Sequence, residues 1–131
     1  MADTVSTTTI FNGKRLKAVR ITNKSDGTGE SAVLKIDISD FTAPDGRTAT
    51  YFVLDAIEWS IKGMRVELLW DATTDDTAMV LAAGAGKRLF KHIGGLRNPK
   101  SSGWTGDMRL TTNGQISGDS YDITLYFRPH A

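Results

Sequence analysis

The sequence predicts an all-β protein, an antiparallel β-sandwich of jelly-roll-like form. Three observations predict it. Every strongly periodic segment alternates apolar and polar residues with period two, turn-forming residues separate these segments, and no long stretch carries the 3.6-residue apolar period of a helix. Roughly nine short strands with turns between them and no helix to cover a parallel sheet point to two antiparallel layers. Residues 1–131 read as one domain, because no fixed-period repeat and no low-complexity linker divides them.

Asn12-Gly13 lies between two strand-like runs, 4–11 and 15–22, and such a dipeptide is a strong hairpin signal. The first run is rich in Thr, which suits a pleated surface and buries little, so Val5 and Phe11 are its expected anchors and the first few residues an expected mobile arm. After the polar turn 23–29, Leu34, Ile36 and Ile38 alternate with Lys35 and Asp37 in a half-buried strand over Ala32–Ser39. Pro44-Asp45-Gly46 then reverses the chain.

The densest apolar stretch follows, Tyr51 to Asp71, and reads as a long central hairpin. Val53, Ile57, Trp59 and Ile61 share one parity, Val66, Leu68 and Trp70 another, and Lys62-Gly63 supplies the positive φ of a tight turn between them. Asp55 falls on the apolar parity and Phe52 and Leu54 on the polar one, which implies a bulge or cover on both faces. Ala78–Ala83 fits either a strand or one helical turn, Leu89–Ile93 a short strand, and Gly94–Gly106 a long irregular loop. Met108–Thr112 and Tyr121–Arg128 close the sheets, the latter with Tyr121, Ile123, Leu125 and Phe127 on one face and Tyr126 on the other.

Sixteen basic residues against fifteen acidic ones give a formal charge of +1, without the basic footprint of a nucleic-acid binder or membrane-surface arm. There is no cysteine for a disulfide framework or thiolate chemistry, no run of apolar residues long enough to span a bilayer, and no basic-then-apolar segment of a signal peptide at MADTVSTTTIF.

Candidate chemistry is sparse. Gly84-Ala85-Gly86-Lys87 departs from a phosphate loop at Leu81 and Arg88, and fits small residues that allow close approach of sheets or subunits. Asp71, Asp75 and Asp76 lack the spacing of a calcium loop, and His92 and His130 stand near no second ligand type. Asp37, Asp40, Asp55 and Glu58 have the chemistry of a glycosidase pair, but surface acids are the plainer reading. No catalytic residue, metal or cofactor is expected, and the chain is not expected to be an enzyme. Trp104 stands apart from the other tryptophans in a Gly/Ser/Pro-rich loop, where an indole suits a sugar ring or a protein interface. Leu96, Arg97 and Trp104 are the interface candidates.

The chain as a whole, cysteine-free, Thr- and Gly-rich and nearly neutral, with DAIEWSIKGMRVELLWDAT at its centre and SGDSYDITLYFRPH near its end, resembles the small auxiliary capsid proteins of tailed bacteriophages. These are the decoration or cement proteins that bind the outside of the head shell. The resemblance implies a β-sandwich that forms a homo-oligomer, a trimer above other states, made in the host cytoplasm and bound to the major capsid protein lattice on the virion surface. It carries over no site residue. The alternatives are a tail or fibre component of the virion and, from the sandwich and Trp104, a carbohydrate-binding module.

Overall fold

The structure is a computed structural model that describes residues 3–131. Ten strands form two antiparallel sheets: β1 (Thr4–Asn12), β2 (Lys17–Lys24), β3 (Val33–Ile36), β4 (Tyr51–Lys62), β5 (Arg65–Trp70), β6 (Asp76–Leu81), β7 (Gly84–Leu89), β8 (Leu96–Arg97), β9 (Met108–Asn113) and β10 (Ser120–His130). One sheet runs β1-β2-β10-β4-β7, with β8 also paired to β4, and the other β3-β9-β5-β6. Among the described residues there is no α-helix, only 3₁₀ turns at Ile38–Asp40 and Lys91–Ile93.

The strand order is that of a jelly roll. The first half of the chain pairs with the second as one long rolled hairpin, β2 with β10, β3 with β9, β4 with β7 and β5 with β6. Rolling it brings β4 beside β10 and β5 beside β9, which completes both sheets. The stretch Tyr51–Asp71 is therefore not a hairpin. Gly63, at φ +78°, does provide the turn, but it carries the chain from one sheet to the other, where β4 lies between β10 and β7 and β5 between β9 and β6, so the two do not pair with each other.

The inner faces meet in a core of Val19, Ile21, Phe52, Leu54, Ile57, Val66, Leu68, Trp70, Leu110, Ile123, Leu125 and Phe127. Phe52 lies at its centre, with ring centroids 4.9 Å from Phe127 and 5.1 Å from Trp70, and Phe41 meets Phe127 edge-on at 5.1 Å. Trp59 shares the inward parity of Ile57 and Ile61 but is only half-buried, because it pairs across the strand with Gly86. A side chain at Gly86 would collide with the Trp59 ring, so the small residues of β7 make room for an indole of this chain.

Four further expectations change. The Asn12-Gly13 hairpin forms, but its connection spans residues 13–16, closed by a bond from Gly13 N to Leu16 O. The pairing of β1 with β2 shifts register between Thr9 and Phe11, so Phe11 stands on the outer face, and Val5 and Phe11 are exposed, not anchors. The strand expected at Ala32–Ser39 shortens to β3 and is bulged between Leu34 and Ile36, which leaves Leu34 outside and Lys35 buried. Leu89–Ile93 is the end of β7 followed by a 3₁₀ turn, and Ala78–Leu81 is strand.

Buried Lys35 is matched by Glu30, whose carboxylate also accepts hydrogen bonds from Tyr121 Oη at 2.6 Å and Asn23 Nδ2 at 2.7 Å. Burial, and then the bond to Glu30, hold the Tyr121 phenol far above its usual range, so it remains a donor. Asn23 also donates to Asp3, whose carboxylate receives the backbone N–H groups of Asp26 and Gly29. Asp3 is thus held by the 23–29 turn, and the arm expected before it falls on Met1 and Ala2, outside the described residues.

Burial sets a stability contrast. Trp70→Ala should lower the unfolding free energy by about 3–5 kcal/mol, as for other core aromatics, whereas Phe11→Ala should stay within about 0.5 kcal/mol of the parent. Urea unfolding followed by circular dichroism checks both, and equal losses would contradict the assignment of faces.

Candidate functional site

The outer face of the six-stranded sheet carries an apolar row across β1, β2, β10, β4 and β7. Phe11 pairs with Ala18, Ala18 with Tyr126, Tyr126 with Ala56 and Ala56 with Leu89, and directly paired residues point to one face. Phe11 and Leu89, at its two ends, are 54% and 57% exposed. Leu16 joins Ala56, Leu89 and Tyr126 in lining a groove of ≈ 460 Å³ bordered by Asp55, Glu58, Lys87 and Lys91.

Asp55 shapes the end of this groove. It occupies the bulge where β4 slips against β10 between Tyr126 and Phe127, which explains its departure from the alternation. Its side chain is 3% exposed and receives Arg128 Nε on both oxygens, at 3.0 and 2.8 Å. Arg128 also donates to Gly94 O at 3.2 Å, which ties the bulge to the 91–97 segment. A second hollow, of ≈ 520 Å³, continues from the first through Leu16, Asp55 and Lys91 to Gly94, Arg97 and Arg128.

The long segment Gly94–Gly106 is not wholly irregular. Leu96 and Arg97 form β8 against Leu54 and Val53, so that Leu96 packs half-buried on the core and Arg97 stands exposed. Lys100 follows, with φ +56° after an Asn98 turn in which Asn98 Oδ1 accepts from Lys100 N. Its ammonium lies 4.2 Å from the ring centroid of Tyr51 and 5.3 Å from that of Trp104. Tyr51 stacks on His130 at 5.1 Å. Trp104 is 36% exposed.

Of the interface candidates, Arg97 and Trp104 thus reach the surface around one cationic-aromatic ledge, while Leu96 supports it from below. Lys91, Lys100, Arg128, Tyr126 and Leu89 complete the surface. Of these, only Tyr126 stands out in the sequence, by its polar-side parity.

The other candidate groups are engaged separately. Glu58 accepts from Tyr126 Oη and stands 4.0 Å from Lys87 Nζ, and Asp37 caps the Ile38–Asp40 turn through Ser39. Asp71 is buried and held by Thr105 and Arg109, and Asp75 caps Ala72 N. His92 is exposed in the 3₁₀ turn. Among the described residues no three of His, Cys, Asp and Glu are placed to hold a metal.

No family model and no curated protein matches the chain. Two solved structures are similar to it. A mutant of a carbohydrate-binding module of family 29 has 9% identity and a TM-score of 0.42 over 96% of this chain and 92% of its own. A second family 29 mutant, from work on ligand recognition, has 8% identity and a TM-score of 0.40 over 96% and 86%. At these values the likeness says nothing about what this chain binds.

His130 reports the charge of the ledge. Burial, and then the positive charges of Arg128 and Arg97, push its pKa below the usual 6.5. Because the folded value is depressed, the unfolded chain binds the proton more readily, so this contribution to stability is full above about pH 6.5 and is lost as pH falls through the folded value. An NMR titration should place the His130 midpoint below 6.5, and His130→Gln should remove that part of the pH slope. A midpoint above 6.5 would contradict the electropositive ledge.

Proposed function

We propose that this chain is a structural virion protein that acts by association, bound to the outside of a tailed bacteriophage head shell as a decoration or cement protein, with no catalytic step. The observation that carries the associative reading is the row Phe11-Ala18-Tyr126-Ala56-Leu89, buried at Ala18, half-buried at Tyr126 and Ala56, and more than half in water at its two large end residues. Contiguous apolar surface rimmed by charge is the usual composition of a protein interface, and Tyr, Trp and Arg are the side chains that dominate binding energy there. Tyr126 stands in this band, and Arg97 lines the hollow that continues from its groove. The virion assignment itself comes from the resemblance of the chain to auxiliary capsid proteins.

Repetition suits such a surface. A symmetric oligomer places several copies of one patch on a lattice, and once one copy docks the others bind at high effective concentration. Modest contacts per copy then hold a shell.

Light scattering should give a mass above that of one 14.3 kDa chain, and the protein should co-sediment saturably with shells that lack it. Leu89→Glu and Phe11→Glu, both at exposed positions, should cut shell binding by about ten-fold or more with little change in melting temperature. A strictly monomeric chain that ignores such shells would end this reading, as would a glycan that binds tightly and changes Trp104 fluorescence.

A further inference from the structure

We propose that the hollow between the 91–97 segment and the ends of β4 and β10 receives an acidic segment of the partner protein, its carboxylates held by Lys91, Arg97 and Lys100. This rests on the reading of the outer face as a protein-docking surface and adds the chemistry of what docks.

The charges of the ledge do not balance. The ≈ 520 Å³ hollow is lined by Lys91, Arg97 and Arg128 with Asp55 as its single acid, and the adjoining ≈ 230 Å³ hollow shares Arg97 and adds Lys100. Asp55 is spent on Arg128. Among the described residues, Lys91, Arg97 and Lys100 have no carboxylate within the 4.0 Å of an ion pair, although the whole chain carries a net charge of only +1. Lys91 and Arg97 on one hollow, and Arg97 and Lys100 on the next, present like charges that a carboxylate placed between them offsets while gaining charge-assisted hydrogen bonds.

The groups are also preorganised. Pairing of β8 with Val53 and Leu54 fixes the backbone of Arg97, so its guanidinium fork is presented from a rigid element and suits a planar carboxylate. Lys100 is steered by the rings of Tyr51 and Trp104. Leu16 lines both this hollow and the apolar groove, so one occupant meets apolar surface and cations together. That mixture fits a polypeptide with acidic and apolar side chains better than a nucleic-acid backbone.

The test compares the parent with the K91E/R97E double variant, whose exposed positions leave the fold intact as judged by melting temperature. Both are sedimented with shells lacking the protein, and both are titrated with hexaglutamate peptide and with a twelve-nucleotide single-stranded DNA by NMR. The expected result is a loss of shell binding of about ten-fold or more in the variant, strong weakening of parent binding by salt, and saturable hexaglutamate shifts at Arg97 and His130 in the parent alone. Equal shell binding by parent and variant would overturn the proposal, as would tighter binding of the DNA than of the peptide. If the parent ignores the shells, the docking reading fails by itself. The peptide titration then decides the hollow, upheld by saturable shifts and overturned by none.

Discussion

The rest of the structure depends on β10 pairing simultaneously with β2 and β4. Its register runs from Ser120 to Phe127 along β2 and from Ser120 to His130 along β4, so a strand at the end of the chain joins segments about a hundred and about seventy residues earlier. Removing it would divide the six-stranded sheet and take Tyr121, Ile123, Leu125 and Phe127, all buried, out of the core. Pairings so distant in sequence form only after large loops close, which makes the roll a cooperative unit. Pro129 is tolerated because β2 stops at Lys17, opposite Phe127, leaving no ladder partner on that side.

The same strand positions the outer surface. Alternation along β10 sends Leu125 and Phe127 inward and Tyr126 and Arg128 outward, and the bulge at Asp55 lets β4 keep step beyond it. Arg128 then satisfies Asp55, which would otherwise be a buried unpaired charge costing several kcal/mol. The apolar band and the cationic ledge are consecutive features of one sheet face because consecutive outward residues of β10 stand in them.

What was legible in the sequence follows from the range of the interaction involved. The sandwich and the jelly-roll form could be read because alternation is local, and β10 alternates without a break. The supposed central hairpin was misread because a glycine turn does not reveal whether the next strand pairs with its predecessor or crosses to the other sheet. The partners that decide it, β10 beside β4 and β9 beside β5, lie far along the chain. Phe11 and Leu34 were misplaced for one shared reason. A single bulged residue before each reference face reverses the parity, and nothing local distinguishes a bulge from a regular strand in TTTIF or VLKI. Lys35 adds a buried charge that only Glu30 makes tolerable. At the site, Arg97 and Trp104 were found by their odd setting in a loop, whereas Lys91, Lys100 and Arg128 look like ordinary surface cations until the fold brings them together.

On this reading the chain works by docking the outer face of its six-stranded sheet. Hydrogen exchange measured on the free and the shell-bound protein tests it most directly. New protection is expected in the 13–16 connection and across 89–97, the segments that border the band and the ledge and lie largely outside the sheet ladders. Protection confined to the edges of the other sheet, at β3 and β6, or no change on mixing with shells, would contradict it.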